Sequence, residues 1–482
     1  MQIHFHIEDR EKRERLKRIL SFAAFLIVLF LIMIAAAMGL NQQRRVRARD
    51  YSAQKEQIDA EEQELTDRKA VIQKAEAMAV GYDYDGAIAL LQSVKNYQTD
   101  SQIQKAIATF TAEKAKLEAK DPNKVPHIFF HSLIVDTSRA FDTEKWGTEE
   151  VAGINAWMTT VDEFDKIMQQ LYDNGYVLVK MRDLVKETHD ADGTVHFVKN
   201  DSLLLPADKK PIVLSIDDWS YYHTYTGRGY GSRAVLDENG DVKVEYTDAD
   251  GKTTVGDYDV VPRLDSFVEE HPDFSYKGAR GLIAMTGYNG VFGYRTDAAY
   301  KTGKNLDQDQ KEWLDEHPDF DWDKEVAAAT KVADAVKAEG WEFASHTWGH
   351  LSVTQKTLDE LKTDNEKWQK TVANITGKTD TIIFAHGNDI GDWHDYNAET
   401  NKVYAYYKSQ GFNFYANVDA SSPSWVQIRD AYVRQGRIDC DGLQMWRAIS
   451  GEAKINVFED LFDVKSVFSK DRPTPVSATG KA

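Results

Sequence analysis

The sequence predicts an α/β protein: a distorted β/α barrel, preceded by a transmembrane helix and a short all-α helical stalk. Three features carry this reading. A charge-free apolar run occupies residues 19–40, a proline-free stretch rich in Ala, Glu, Gln and Lys follows, and from Val125 short apolar strands alternate with amphipathic helices that end on glycine. The chain divides accordingly into a cytoplasmic N-terminus (1–18), the membrane helix (19–40), the stalk (41–120), the barrel domain (121–450) and a C-terminal extension with a partly disordered tail (451–482).

The run ILSFAAFLIVLFLIMIAAAMGL, Ile19 to Leu40, has 22 residues. At about 1.5 Å rise per residue it crosses a hydrocarbon layer of roughly 30 Å. It is longer than the apolar core of a typical signal peptide, so an uncleaved single-pass anchor is expected. Six Lys or Arg lie between Arg10 and Arg18, and five follow at Arg44, Arg45, Arg47, Arg49 and Lys55. The charge contrast is nearly flat, so placing the large domain outside the cell rests on its chemistry.

Within the stalk, AEAMAVGYDYDGAIALLQSVKNYQ and SQIQKAIATFTAEKAKL read as one helix-turn-helix of tetratricopeptide kind. A single unit is too little for a solenoid, so the stretch acts as a spacer, or offers a surface to a protein partner. Asp121 and Pro122 end it.

The barrel series opens with HIFFHS. The helix around FDKIMQQLYDN stops at Gly175, where a left-handed C-cap suits glycine, and YVLVK follows. Further strands are PIVLSI (211–216), ARGLIAM (279–285), WEFAS (341–345), DTIIFA (380–385) and FNFYANV (412–418). Polar residues stand at the strand ends: His131 and Ser132, Asp217 and Asp218, His346 and His350, then His386, Asn388 and Asp389, and Asn417 and Asp419. In β/α folds that rim is where ligands bind. Residues 219–260 form an insertion with a hairpin through Glu-Asn-Gly, and 286–310 form an irregular stretch whose Tyr288, Phe292 and Tyr294 offer flat faces for sugars.

Composition sets bounds. With 42% hydrophobic and 11% aromatic residues in 482, the chain can bury a large core. A formal charge of -19 argues against a nucleic-acid partner. Cys440 is the single cysteine, so a metal here must be held by His, Asp or Glu.

SIDDW (215–219) and SHTWGH (345–350) together resemble the first two motifs of the polysaccharide deacetylase family with the NodB-homology domain, and the similarity in order and spacing extends over roughly 125–450. The resemblance implies Asp217 as general base, and Asp218, His346 and His350 as ligands of a divalent metal such as Zn²⁺. Two imidazoles and a carboxylate suit such an ion and leave positions for water and a carbonyl. A neighbouring carboxylate off the metal can take a proton, as amide hydrolysis requires. The implied activity is removal of N-acetyl, or O-acetyl, groups from a cell-wall or extracellular polysaccharide. Trp219, Tyr222, Tyr288, Asn388, Asp419 and Trp425 are the expected substrate contacts.

The sequence departs from the family at three places. Trp219 replaces the usual glycine after the acidic pair. The third motif reads FAHGND, with no arginine there to tune Asp217. No late histidine protonates the leaving amine, because His394 is the last in the chain and the matching region reads GRIDCDGLQMW, with Arg437, Asp439 and Asp441. His386 or His131 is then the expected general acid. The rival expectations are a catalytically weak glycan-binding or scaffold protein, and a two-carboxylate glycoside hydrolase, which leaves the histidines unexplained.

Overall fold

The computed structural model describes residues 3–419 and 421–477; the end of the expected tail, 478–482, lies outside the described residues. Contact density separates two compact units, residues 1–74 with 93–96, and residues 75–92 with 97–482.

The first unit is dominated by helix α1 (Ile3–Val80), whose last turns belong to the second unit. Within α1 the segment Lys12–Arg45 is long and apolar enough to cross a membrane, and its apolar window is wholly unburied.

The second unit is built on a closed ring of seven parallel strands that follow one another in chain order: β1 (His127–Phe130), β2 (Lys210–Asp217), β3 (Leu282–Met285), β4 (Glu342–Ser345), β5 (Thr381–Ile383), β6 (Phe414–Val418) and β7 (Tyr432–Asp439). Ring closure is the pairing of β7 with β1, Ile438 opposite Ile128. The predicted strand at Tyr176–Leu178 stands beside β2 and outside the ring. β7 is the strand the sequence concealed, since YVRQGRID carries three charged residues.

Strand alternation sorts the side chains. Ile128 and Phe130, with Leu214, Ile216 and Ile283, pack outward against helices. Those helices include α4 (Val161–Asp173), started by a Thr160–Glu163 capping box, and α5 (Trp322–Ala338), which presents Ala329, Val332, Ala333 and Val336. The barrel floor is apolar, with Val213, Leu282, Phe414 and Val433 in one cluster. Above it His127 bridges Ser215 (2.9 Å) and Gln435 (3.1 Å). Asp217 on β2 and Arg437 on β7 lie two residues further toward the strand ends than Ser215 and Gln435.

Two expected boundaries move. Residues from Ala75 onward are not all stalk: α2 (Tyr84–Gln92) and α3 (Ser101–Lys114) belong to the barrel's unit. Tyr82 joins the floor cluster and donates to the Asp273 carbonyl at 2.9 Å. Residues 451–477 do not extend away either. Val457, Phe458, Leu461, Phe462, Val464 and Val467 complete the outer core. Arg472 reaches both oxygens of the fully buried Glu163 (2.6 Å each) and the Met158 carbonyl (2.6 Å), so this segment is fastened by a satisfied ion pair.

The insertion forms a three-stranded antiparallel sheet of Arg233–Leu236, Val242–Thr247 and Thr253–Gly256, with its first turn at the expected Glu-Asn-Gly.

Candidate metal centre

Asp218 follows β2, and His346 and His350 follow β4. One ligand atom from each lies within 4.8 Å of the others, the two imidazole centroids are 5.0 Å apart, and His350 Nε2 is 3.4 Å from Asp218 Oδ2. The backbone is turned unusually here: Asp218, Thr347 and His350 all hold positive φ (58°, 60° and 51°). Non-glycine residues adopt that conformation at a cost, and it persists where surroundings enforce it.

Those surroundings are visible. His346 Nδ1 donates to the Ile383 carbonyl at 2.7 Å, which fixes the tautomer and leaves the Nε2 lone pair facing the carboxylates. The Asp364 carboxylate, on α6 (Leu358–Thr371), accepts from the backbone N–H of Trp348 (2.7 Å) and Gly349 (2.8 Å), fastening the loop between the two histidines. The Tyr222 hydroxyl donates to Asp218 Oδ1 at 2.6 Å and also contacts Thr286 Oγ1. Burial lowers the pKa of His346 despite Asp217 and Asp218 nearby, and so keeps the imidazole neutral, the state in which it binds metal. Burial alone would raise Asp218, but His350, His346, His131 and the Tyr222 hydroxyl bring it below the ordinary carboxylate value. Donor types, tautomer and supporting hydrogen bonds all fit a divalent cation of the Zn²⁺ kind.

Asp217 does not join this triad. Arg437 grips it from inside the barrel, Nη1 to Oδ1 at 2.7 Å and Nη2 to Oδ2 at 2.9 Å, while His346 Nε2 stands 3.7 Å from Oδ2. Burial would raise its pKa, yet Arg437 first and the imidazoles of His346 and His131 hold it well below the usual carboxylate range. The arginine absent from the third motif is thus supplied by β7. Period-two alternation along YVRQGRID was the available signal, because a buried arginine facing a barrel interior demands a carboxylate.

His131, after β1, interacts with Asp217, Asp218 and His350, and its buried Nδ1 has no hydrogen-bond partner among the described residues. Burial is the first cause of its lowered pKa. His386 is exposed, with its ring 4.3 Å from that of His350 and Nε2 3.2 Å from the His350 carbonyl oxygen.

The expected substrate contacts separate into two groups. Trp219 is corrected: at 0% exposure it packs on Phe292 (5.1 Å between centroids) and its indole N–H donates to Tyr221 Oη at 2.9 Å, because positive φ at Asp218 returns the next residue to the core. Phe292 and Tyr294 are buried with it. Tyr222 is also buried and holds Asp218. Asn388 accepts from Ser352 Oγ (2.8 Å) and Thr354 N (3.3 Å), and so braces the loop after His350. Asp419 closes a turn onto Ser421 N (2.8 Å). Tyr288 and Trp425 remain partly exposed. Tyr288 stacks on Tyr222 (4.6 Å, 9°) and lines a cleft of about 650 Å³ with Trp348 and Lys367. Trp425 meets the exposed Trp393 edge-on at 5.0 Å.

Fold and site together define an α/β-barrel with a histidine-carboxylate centre at the strand ends. Residues 310–408, which contain both histidines and His386, match the family model described as polysaccharide deacetylase, and the barrel is of that type. Among solved structures the chain is similar to the Streptococcus pyogenes deacetylase PplD in complex with acetate, at 13% identity, covering 66% of this chain and 93% of that one with a TM-score of 0.32. No curated protein matches the sequence.

Proposed function

We propose that the protein is a metal-dependent deacetylase of a cell-wall or extracellular polysaccharide, acting on N-acetyl groups, anchored by its one apolar helix with the barrel outside the cell. The observation that carries this is the convergence of Asp218, His346 and His350 beside a second carboxylate, Asp217, that is kept off the triad by Arg437.

A divalent ion bound there supplies Lewis acidity, polarising an acetamide carbonyl and easing deprotonation of water. Asp217 is kept ionised by Arg437 and is the base that takes the proton from the attacking water. His131, with an unengaged ring nitrogen, is the donor to the leaving amine. Tyr222 and Asp364 act only through the ligands they hold. Tyr288 and Trp348 offer ring faces for sugar residues along the cleft beside His350.

The test is acetate release from chitooligosaccharides and cell-wall glycan by the full chain in detergent. Release that is abolished by chelator, restored by Zn²⁺ and reduced at least a hundredfold in Asp217→Asn supports the reading. Glycan binding without any acetate release would favour the scaffold alternative. Deacetylation by Asp217→Asn at the parent rate would remove Asp217 from its role.

A further inference from the structure

A second cavity is bordered by Tyr222 but not by Asp218, His346 or His350. It measures about 270 Å³ and is lined by Arg139, Arg295, Tyr222, Tyr225, Thr226 and Tyr230, among others. Its chemistry is unbalanced. Arg295 is 6% exposed, and its one hydrogen bond from the guanidinium among the described residues goes to the Tyr221 carbonyl (3.0 Å), leaving the buried Nε without a partner. The nearby Glu325 is taken up otherwise, accepting from the Arg295 backbone N–H (2.8 Å) and lying 3.5 Å from Arg233. Arg139 donates to the Thr247 carbonyl (2.6 Å) and to Tyr246 Oη (3.3 Å), again without a carboxylate. Tyr230, 4% exposed, has a buried hydroxyl with no partner among the described residues.

Buried cations are normally paired, and buried polar groups are normally hydrogen-bonded, since leaving them otherwise is costly. Here the buried Arg295 and the half-buried Arg139, neither paired with a carboxylate among the described residues, border the same small cavity as the unpartnered Tyr230 hydroxyl. The acids nearby are engaged by other groups: Asp136 accepts from Ser138 N (3.0 Å), Arg139 N (3.3 Å) and Tyr246 Oη (3.3 Å), Asp259 accepts from Tyr221 Oη (2.6 Å), Leu133 N (2.9 Å) and Val260 N (2.8 Å), and Asp218 accepts from Tyr222 Oη (2.6 Å). The glycine-rich loop is fitted to this arrangement. Gly229 has φ +83°, and a Cβ there would come 2.4 Å from the Asp136 carbonyl oxygen, so only glycine lets the loop approach the turn that carries Arg139.

We propose that this cavity is a ligand site for a small oxyanion, a carboxylate or a phosphoryl group, held by Arg139, Arg295 and the Tyr230 hydroxyl. Planar guanidinium groups match either oxyanion, and the cavity is just below the size of pockets that take whole drug-like ligands, so one acidic substituent or a free anion fits it. The site stands on these three residues and is independent of metal at the neighbouring centre.

The experiment titrates inorganic phosphate and lactate into the metal-stripped full chain in detergent at constant ionic strength, followed by calorimetry. Saturable binding of either anion is expected, weakened at least tenfold in Arg139→Gln and Arg295→Gln, severalfold in Tyr230→Phe, and retained in His346→Ala. Tighter phosphate identifies a phosphoryl ligand and tighter lactate a carboxylate. Should Arg295→Gln fail to fold by circular dichroism, Arg139→Gln and Tyr230→Phe decide. The proposal is overturned if neither anion binds, if binding is indifferent to Arg139→Gln and Tyr230→Phe, or if His346→Ala abolishes it.

Discussion

Arg437 and Asp217 face each other across the barrel interior in a two-pronged ion pair, 220 residues apart in sequence, with the guanidinium 3.9 Å from the Phe129 ring centroid. Both are buried, so neither charge has water to turn to. Arg437→Met strands the carboxylate, and a loss of about 3–5 kcal/mol in folding stability is expected from breaking one side of such a pair. Without the guanidinium Asp217 also gains a proton more readily, so residual acetate release should show its acidic limb at higher pH than the parent. Urea denaturation and a pH-rate profile read the two effects; an unmoved acidic limb would mean that Arg437 does not tune the base.

Asp364 touches neither His346 nor His350, but it holds the backbone between them. In Asp364→Asn one side-chain oxygen remains to accept, and the amide N–H₂ meets the second backbone N–H donor to donor. Metal affinity is expected to fall 10–100-fold, with the fold kept, as for other groups that orient ligands. Chelator competition measures this, and an affinity equal to the parent's would restrict Asp364 to capping the loop.

The two candidate acids make different claims. His131 sits within the electrostatic reach of Asp217 and Asp218, whereas the exposed His386 turns Nε2 toward a backbone carbonyl. His131→Ala is expected to lower kcat by about 10²–10⁴, the usual contribution of a general acid, while His386→Ala costs less than about tenfold. Metal content, measured alongside, separates a lost proton donor from a lost ligand shell; the reverse ranking at full metal loading would assign the role to His386.

How far the sequence could be read follows from the range of each signal. The strand ends and the two short motifs are local, so the meeting of Asp218, His346 and His350, with Asp217 beside them, was legible. Arg437 was seen but left unassigned, because its partner comes from another strand and only closure of the ring brings them together. Trp219 misled for a related reason: position beside the acidic pair suggested the rim, but the left-handed turn at Asp218, invisible in a sequence, sends it into the core. The C-terminal segment read as an extension with a partly disordered tail, since its anchor, Arg472, meets Glu163 only across 309 residues.

A last consequence of the barrel's closing strand is a dependence of stability on pH. Asp439 ends β7 and Asp441 follows two residues later; both are buried, and each keeps one carboxylate oxygen without a hydrogen-bond partner among the described residues. Burial and mutual repulsion raise Asp439 well above its ordinary value, and burial raises Asp441 to about 7 even though it caps α7 (Gly442–Ser450) through the Gln444 N–H. In the unfolded chain both lose their protons near about 3.9. Between that pH and about 7 the native state therefore holds more protons than the unfolded one, so stability is fullest at the acid end of this window and falls as pH rises through it, by up to about 1.4 kcal/mol per pH unit for each proton. Glu339, raised to about 8 by burial and then by Asp265, adds to the slope with the same sign. Urea midpoints of the full chain in detergent should decline from pH 5 to pH 8. Asp439→Asn, which places a permanent donor where the shared proton lies, should flatten part of that decline, and adding Glu339→Gln should flatten more. A midpoint that rises over this range, or a slope indifferent to Asp439→Asn, would show that the pair is ionised in the native state.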